Sequence, residues 1–135
     1  MKDMFEGPGG PVSQKGFDAA IADIGIEGEE RALWSILAVE TRGFGFQPDR
    51  RPKILFERHI FHARTGGKFS AAHPDISNAT AGGYLGGAAE YGRLKRAMVL
   101  DRARALESAS WGLGQVMGFN ATGIGYASAE AMVKA

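Results

Sequence analysis

The sequence predicts a single, mainly α-helical domain of the α+β class with a small β-hairpin. The chain has 135 residues, a length typical of one domain, and most of its apolar residues recur at helical spacing. Two short β-prone runs, 44–46 and 53–56, flank a stretch with two prolines. Because these runs are close neighbours in the chain, we expect them to form the hairpin.

The composition is that of a globular protein, with 44% hydrophobic and 23% charged residues. Cysteine is absent, which excludes disulfides, thiolate metal sites and a thiol nucleophile. No apolar run reaches the roughly 18 residues of a membrane span, and the first ten residues lack the apolar core of a signal peptide. We therefore expect synthesis in the cytoplasm and no membrane partner.

The net charge is only +1, but the charges are segregated along the chain. Residues 1–41 carry three basic and eight acidic groups, whereas residues 42–68 carry seven basic and two acidic groups. The basic block suits an anionic polymer, although chance clustering on a solvated surface explains it equally well. A nucleic-acid-binding module is a further alternative, but the balanced net charge and the lack of a known motif argue against nucleic acid.

The first half of the chain predicts two short helices. An apolar stripe over 14–24 ends at Gly25, and a second helix is expected from Glu29 to about Thr41. After the hairpin we expect helices over 57–65, 88–108 and 127–134, with a long loop over 69–86. Ser110 is placed to cap a further helix over 111–118.

Glu40 is the most informative position. It continues the stripe of Leu33, Ile36 and Leu37, so its carboxyl group should point toward the core at the end of a helix. Burial raises the pKa of a carboxyl group, and a protonated carboxyl can act as a general acid on a glycosidic oxygen. A structural ion pair with Arg42 or Arg58 is the alternative interpretation.

Several long strings occur in the order found in one enzyme family. They are AVETRGFGF over 38–46, RPKILFERH over 51–59, TGGKF over 65–69, HPDISN over 73–78, AGGY over 81–84 and SASWGLGQVMGFN over 108–120. Together they resemble the N-acetylmuramidase domain of phage endolysins, and the resemblance covers about 20–127. A prophage origin would fit it.

The resemblance implies a lysozyme-like fold with the hairpin beside the active-site cleft. It also implies cleavage of the β-1,4 bond between N-acetylmuramic acid and N-acetylglucosamine in peptidoglycan, with Glu40 as the catalytic general acid. No cofactor is implied. The candidate sugar-binding residues are His59, Tyr84, Ser110, Gln115 and Asn120. Hydrogen bonds within loops and at helix ends are the alternative roles for Gln115 and Asn120.

A second carboxylate is harder to assign from sequence. Glu57 follows the hairpin and could reach the cleft, whereas Asp49 lies in the turn. An inverting enzyme needs a base roughly 6.5–9.5 Å from the acid, and a retaining enzyme needs roughly 5–5.5 Å. We favour inversion, with Glu57 orienting water or binding sugar; an arginine ion pair is the alternative. His59, His62 and His73 could suggest a metal site, but hydrolysis requires none, and we predict no metal.

Family members usually continue beyond this region with further helices. We therefore expect residues 1–135 to be one N-acetylmuramidase domain without those helices, and the face left open could support a homodimer. A catalytically inactive peptidoglycan-binding or scaffold module is the main rival to the enzyme. A lytic transglycosylase is a second rival, distinguished only by its products.

Overall fold

The computed structural model describes residues 4–5, 13–25, 28, 31–32 and 45–135. These ranges contain helices α1 (Gln14–Ile24), α2 (Arg58–Arg64), α3 (Ala89–Leu100), α4 (Arg102–Glu107) and α5 (Ala129–Lys134), and strands β1 (Ile54–Phe56), β2 (Ala109–Trp111) and β3 (Val116–Met117). Two short 3₁₀ helices span Gly118–Asn120 and Thr122–Ile124. The predicted mainly helical fold with a small amount of sheet is confirmed. Within these ranges no helix is long and apolar enough to cross a membrane.

Helix α1 forms where the periodicity predicts it. The Ser13 side chain accepts a hydrogen bond from the Gly16 amide, and the helix ends at Gly25 in left-handed backbone. Its buried side chains are Phe17 and Ile21, one turn apart. Of the helix expected over 29–41, only residues 31 and 32 are described, and both are helical.

The three strands form one antiparallel sheet in the order β1-β2-β3. Leu55 pairs with Ser110, and Ser110 pairs with Met117, so these three side chains share one face, here called the outer face. The opposite, inner face carries the pairs Ile54 with Trp111 and Phe56 with Ala109, and these four side chains are buried. The sheet therefore has one face on the core and one free to border a cleft.

The predicted hairpin is described from residue 45 onward. Within this part a bridge joins Phe46 to Pro52, the Gln47 amide donates to the Arg51 carbonyl oxygen at 2.8 Å, and the Lys53 amide donates to the Gly45 carbonyl oxygen at 2.6 Å. Residues 54–56 pair with β2, which supplies the apolar partners of the inner face. The sheet is accordingly larger than the sequence predicts.

Two helix predictions in the second half of the chain are wrong in detail. Ser110 does not cap a helix over 111–118, because it lies within β2, and left-handed backbone at Gly112 and Gln115 turns the chain into β3. The helix expected over 88–108 is divided at Asp101, whose extended backbone ends α3. The Asp101 side chain then accepts from the Arg104 amide and caps α4.

One apolar cluster lies between the inner face of the sheet and the helices around it. It includes Phe61 of α2, Leu94 of α3 and Leu106 of α4, all fully buried. Gly118 packs directly on α4, where a Cβ atom would lie 2.0 Å from the Leu106 carbonyl oxygen. Phe5 also enters the cluster, between the rings of Tyr91 and Trp111 at centroid distances of 5.0 and 5.7 Å.

Candidate active site

A cleft of about 610 Å³ opens beside the sheet. The residues that line it come from the 47–49 turn, from β1 and the residue before it, from the segment leading into α3, and from the loop between β2 and β3. They are Gln47, Pro48, Asp49, Lys53, Ile54, Leu55, Gly87, Ala88, Gly112 and Gln115. The volume is within the range of small-molecule binding sites.

Gln115 closes one end of the cleft and is held in place on several sides. Its backbone is left-handed, with φ 48°. Its Oε1 accepts from the Ser110 hydroxyl at 2.9 Å, while its Nε2 donates to the carbonyl oxygens of Gly112 at 2.9 Å and Lys53 at 3.4 Å. The predicted sugar ligands Ser110 and Gln115 are therefore neighbours, and Gln115 links the loop to the cleft wall at Lys53.

The 47–49 turn is held against the same loop by a glycine. Gly45 has φ 77°, and a Cβ atom there would lie 2.7 Å from the backbone nitrogen of Leu113. Only glycine allows this approach of two backbones. The approach brings the turn and the Gln115 loop to one cleft, although they are about 70 residues apart in the chain.

Asp49 is tied down within its turn. Its carboxylate accepts from the Arg51 side chain, with Nη2 at 2.6 Å and Nε at 2.8 Å, and from the Arg51 amide at 3.1 Å. These hydrogen bonds lower the pKa of Asp49, so it stays ionised at neutral pH. Asp49 can thus accept hydrogen bonds in the cleft, but it is unsuited to be a general acid.

Three of the predicted site residues meet at the end of β1. The Tyr84 hydroxyl donates to Glu57 Oε2 at 2.6 Å, and Nδ1 of His59 lies 3.3 Å from the same oxygen without the alignment of a hydrogen bond. The Glu57 side chain is only 16% exposed. Within the described residues the partners of Glu57 are thus a tyrosine and a histidine rather than an arginine.

The cluster of Glu57, His59 and Tyr84 lies next to the cleft but does not line it. Glu57 follows Leu55 by two residues, which places it on the same side of the extended chain, and Tyr84 precedes Gly87 by three residues. The hydrogen bond to Glu57 raises the pKa of Tyr84, with burial as a second cause. The hydroxyl therefore remains a donor at neutral pH and leaves Glu57 Oε1 available to another group.

Glu90 and Arg93 are site residues that the sequence reasoning missed. Both are buried on α3, and Glu90 Oε2 accepts from Arg93 Nη1 at 2.9 Å and from the Phe56 amide at 3.1 Å. Glu90 Oε1 accepts from the amides of Leu85 and Gly86. The same stripe argument that selected Glu40 could have found Glu90, because it precedes the buried Leu94 by four residues.

Other candidate residues lie elsewhere. Arg58, a considered partner for Glu40, donates to the carbonyl oxygens of Thr80 and Ala81. His62 Nδ1 is 2.7 Å from the Ser70 hydroxyl, and across the described ranges no three His, Cys, Asp or Glu side chains gather in a metal-binding group. Asn120 is exposed at the end of its 3₁₀ helix and is not among the residues that line the cleft. Glu40 lies outside the described residues.

The comparisons with known proteins agree with one another. A family model described as N-acetylmuramidase matches residues 29–135. The crystal structure of the endolysin of Burkholderia AP3 phage is similar to this chain, with a TM-score of 0.83 and 37% identity over 96% of this chain and 49% of the endolysin. The chain thus spans about half the length of that endolysin. Among curated proteins, none matches the sequence.

Proposed function

Because the chain belongs to the N-acetylmuramidase family, we propose that it is a peptidoglycan hydrolase of the endolysin type that cleaves the β-1,4 bond between N-acetylmuramic acid and N-acetylglucosamine. One observation carries this proposal. The family model matches residues 29–135, and this span includes Glu40 and the residues of the cleft. The likeness to the phage endolysin supports the same function.

Glu40 is the general acid of the proposed reaction. Its place on the apolar stripe that the sequence predicts for residues 29–41 favours a protonated carboxyl group near neutral pH. The glycosidic oxygen is a poor leaving group until it is protonated, and a positioned acid accelerates such a step by about 10²–10⁴. Glu40 therefore donates its proton to that oxygen as the bond to the sugar C1 breaks.

Glu57 is the second carboxylate of this proposal. Its Oε2 accepts from the Tyr84 hydroxyl, so Oε1 can orient the water that attacks the sugar C1 and accept the proton that this water loses. Attack on the face opposite the leaving group inverts the configuration at C1. His59 and Tyr84 then border the reacting sugar. Gln115 contributes a sugar contact in the cleft, the buried Ser110 orients Gln115, and Asn120 contributes a contact beyond the cleft.

The substrate class follows from the same premise. The glycan strands of peptidoglycan carry acetamido groups. Gln115 Oε1 accepts one hydrogen bond from Ser110 and has a second lone pair that can accept from an acetamido N–H in the cleft. Such an enzyme acts on the cell wall from the periplasm after its release. A binding module without activity would occupy the same strands and leave them intact.

The decisive experiment compares the wild type with Glu40→Gln on permeabilised Gram-negative cell walls. We expect the substitution to lower the rate of wall clearing at least about 100-fold, because an amide has no acidic proton. Glu130→Gln is the matched control, since it makes the same chemical change on α5, and it should clear walls at the wild-type rate. Equal clearing by wild type and Glu40→Gln would refute the proposed role of Glu40.

Analysis of the released fragments separates the remaining alternatives. Mass spectra with reducing muramic ends support hydrolysis, whereas 1,6-anhydro ends indicate a lytic transglycosylase. NMR of the first product shows whether the configuration at C1 is inverted or retained. A wild-type protein that sediments with walls but releases no fragment would be the inactive binding module.

A further inference from the structure

The carboxylate of Glu90 joins two walls of the site. Its Oε2 accepts from the amide of Phe56, the last residue of β1, and its Oε1 accepts from the amides of Leu85 at 2.6 Å and Gly86 at 3.0 Å. Phe56 immediately precedes Glu57, and Leu85 immediately follows Tyr84. One buried side chain thus holds the backbone next to both members of the Tyr84–Glu57 hydrogen bond.

Arg93 completes the same arrangement from one turn further along α3. Its Nη1 donates to Glu90 Oε2 and to the Phe56 carbonyl oxygen, both at 2.9 Å, and its Nη2 donates to the Asp75 carbonyl oxygen at 2.9 Å. The pair therefore satisfies both backbone groups of Phe56, on the edge of β1 opposite β2. It takes the place that a fourth strand would occupy in a larger sheet.

Stability alone is a poor reason for this pair. Apolar side chains of the same size are often as stabilising as a buried ion pair, because both charges must leave water. Arg93 Nε is also buried without a hydrogen-bond acceptor among the described residues, which adds a cost. What an apolar pair could not do is hold three separate backbone amides in fixed positions.

We propose that Glu90, supported by Arg93, is a positioning residue that sets the distance between Glu57 and Tyr84 and so aligns Glu57 for the reaction. This inference rests on the proposed role of Glu57. All four hydrogen-bond partners of the Glu90 carboxylate are donors. A glutamine at position 90 cannot replace it, because the amide nitrogen is also a donor and would face donors on one of the two walls.

The test is a double-mutant cycle with Glu90→Gln and Glu57→Gln in the full chain, assayed by fragment release from permeabilised walls at several wall concentrations. We expect Glu57→Gln to lower the maximal rate about 100-fold and Glu90→Gln about tenfold, with little change in the wall concentration at half-maximal rate. The double variant should be no slower than Glu57→Gln, because Glu90 acts through Glu57.

A stability control and a second variant separate a loss of rate from a loss of stability. Leu106→Val or Leu106→Ala, chosen to match the melting temperature of Glu90→Gln, removes buried volume on α4 and should keep the wild-type rate. If Glu90→Gln does not fold, Glu90→Asp keeps the charge opposite Arg93 but is too short to reach both walls, and it should show the same loss of maximal rate.

A spectroscopic measurement reads the geometry without activity. In the wild type the Tyr84 pKa lies above its ordinary value, mainly because of the hydrogen bond to Glu57, and the negative charge of Glu90 also raises it. Glu90→Asp keeps that charge, so tyrosine ring NMR should show the Tyr84 pKa falling toward the ordinary value in Glu90→Asp but not in the Leu106 control. Three results would each overturn the positioning role. The double variant could lose the product of the two single losses of maximal rate, the Tyr84 pKa could stay unchanged, or the Leu106 control could lose as much rate as Glu90→Gln. A fully active Glu57→Gln would overturn it too, while Glu40→Gln separately decides the proposed function.

Discussion

The two faces of the three-stranded sheet differ in what their side chains touch. On the inner face Phe56 and Ala109 are completely buried against the helices. On the outer face Leu55 and Met117 are only half-buried, and the polar group of Ser110 turns sideways to Gln115. Leu55 lines the cleft, and Glu57 continues the same side of the chain.

Because the two faces of β1 have different surroundings, neighbouring residues of one strand should contribute differently to stability and to activity. A change on the inner face removes packing that the core shares, whereas a change at the half-buried Leu55 of the outer face alters the wall of the cleft. Glu90 lies between these two cases, because it is buried with the inner face but bonded to the backbone that carries Glu57. Changes at these positions should therefore affect folding and activity in different proportions.

The largest effect is expected from truncation on the inner face. Phe56→Ala should lower the free energy of unfolding by about 3–5 kcal/mol, because it removes a fully buried ring that packs near Phe61. Leu55→Ala, its neighbour on the outer face, should cost less than half as much. Urea unfolding followed by circular dichroism measures both, and equal costs would show that the two faces are not distinct.

Acid should weaken the buried edge beside β1. Burial raises the pKa of Glu90, but the hydrogen bonds from Gly86, Leu85 and Phe56 outweigh it, so the pKa lies below the ordinary value of 4.5. The folded state therefore binds this proton less readily than the unfolded state, and stability falls as the pH drops below about 4.5. Urea midpoints between pH 7 and pH 3 should decline less steeply for Glu90→Gln; parallel curves would contradict this.

A smaller effect, mainly on activity, is expected on the outer face. Ser110→Ala removes the hydrogen bond that orients Gln115, and it should lower wall-clearing activity up to about tenfold while costing about 1 kcal/mol of stability. Ser128→Ala is the matched control, because it removes the side chain that caps α5 at a similar cost. If both variants lost activity alike, the loss would reflect stability rather than the cleft.

The smallest effect should come from the turn beside the cleft. Arg50 has left-handed backbone with φ 68°, a conformation that costs a non-glycine residue about 1–2 kcal/mol. Arg50→Gly relieves this strain, although glycine loses more chain entropy on folding, so we expect a net gain of about 0.5–1 kcal/mol. Thermal unfolding should show a higher midpoint with unchanged activity; a lower midpoint would mean that the arginine side chain contributes more than the strain costs.

The sequence predicts the helices of this fold better than its strands. Helix α1 has both an apolar stripe and a terminating glycine, and these local features are enough to locate it. Strand β2 has only three residues and pairs with β1, more than 50 residues earlier in the chain, so no local pattern reveals it. The break at Asp101 was missed because the apolar spacing continues on both sides of it.

In the candidate site, individual residues could be predicted from the sequence, but their contacts could not. Glu57 was selected from its position after the hairpin and Tyr84 through the family resemblance, but their contact spans 27 residues and required the folded chain. Glu90 was missed because the helix dipole already accounts for a glutamate in a first turn, so its spacing of four residues from Leu94 was not used. Its burial depends on the amides of Phe56 and Leu85, which only the folded chain brings to it.

The Phe5 contact bears on how this domain should be shortened for expression. Phe5 precedes the family match, which begins at residue 29, yet its ring fills the space between Tyr91 and Trp111. Trimming the chain to the family boundary would uncover two aromatic rings beside β1. A fragment that begins at the start of the family match would expose an apolar surface formed by these two rings. We expect such a fragment to aggregate during purification.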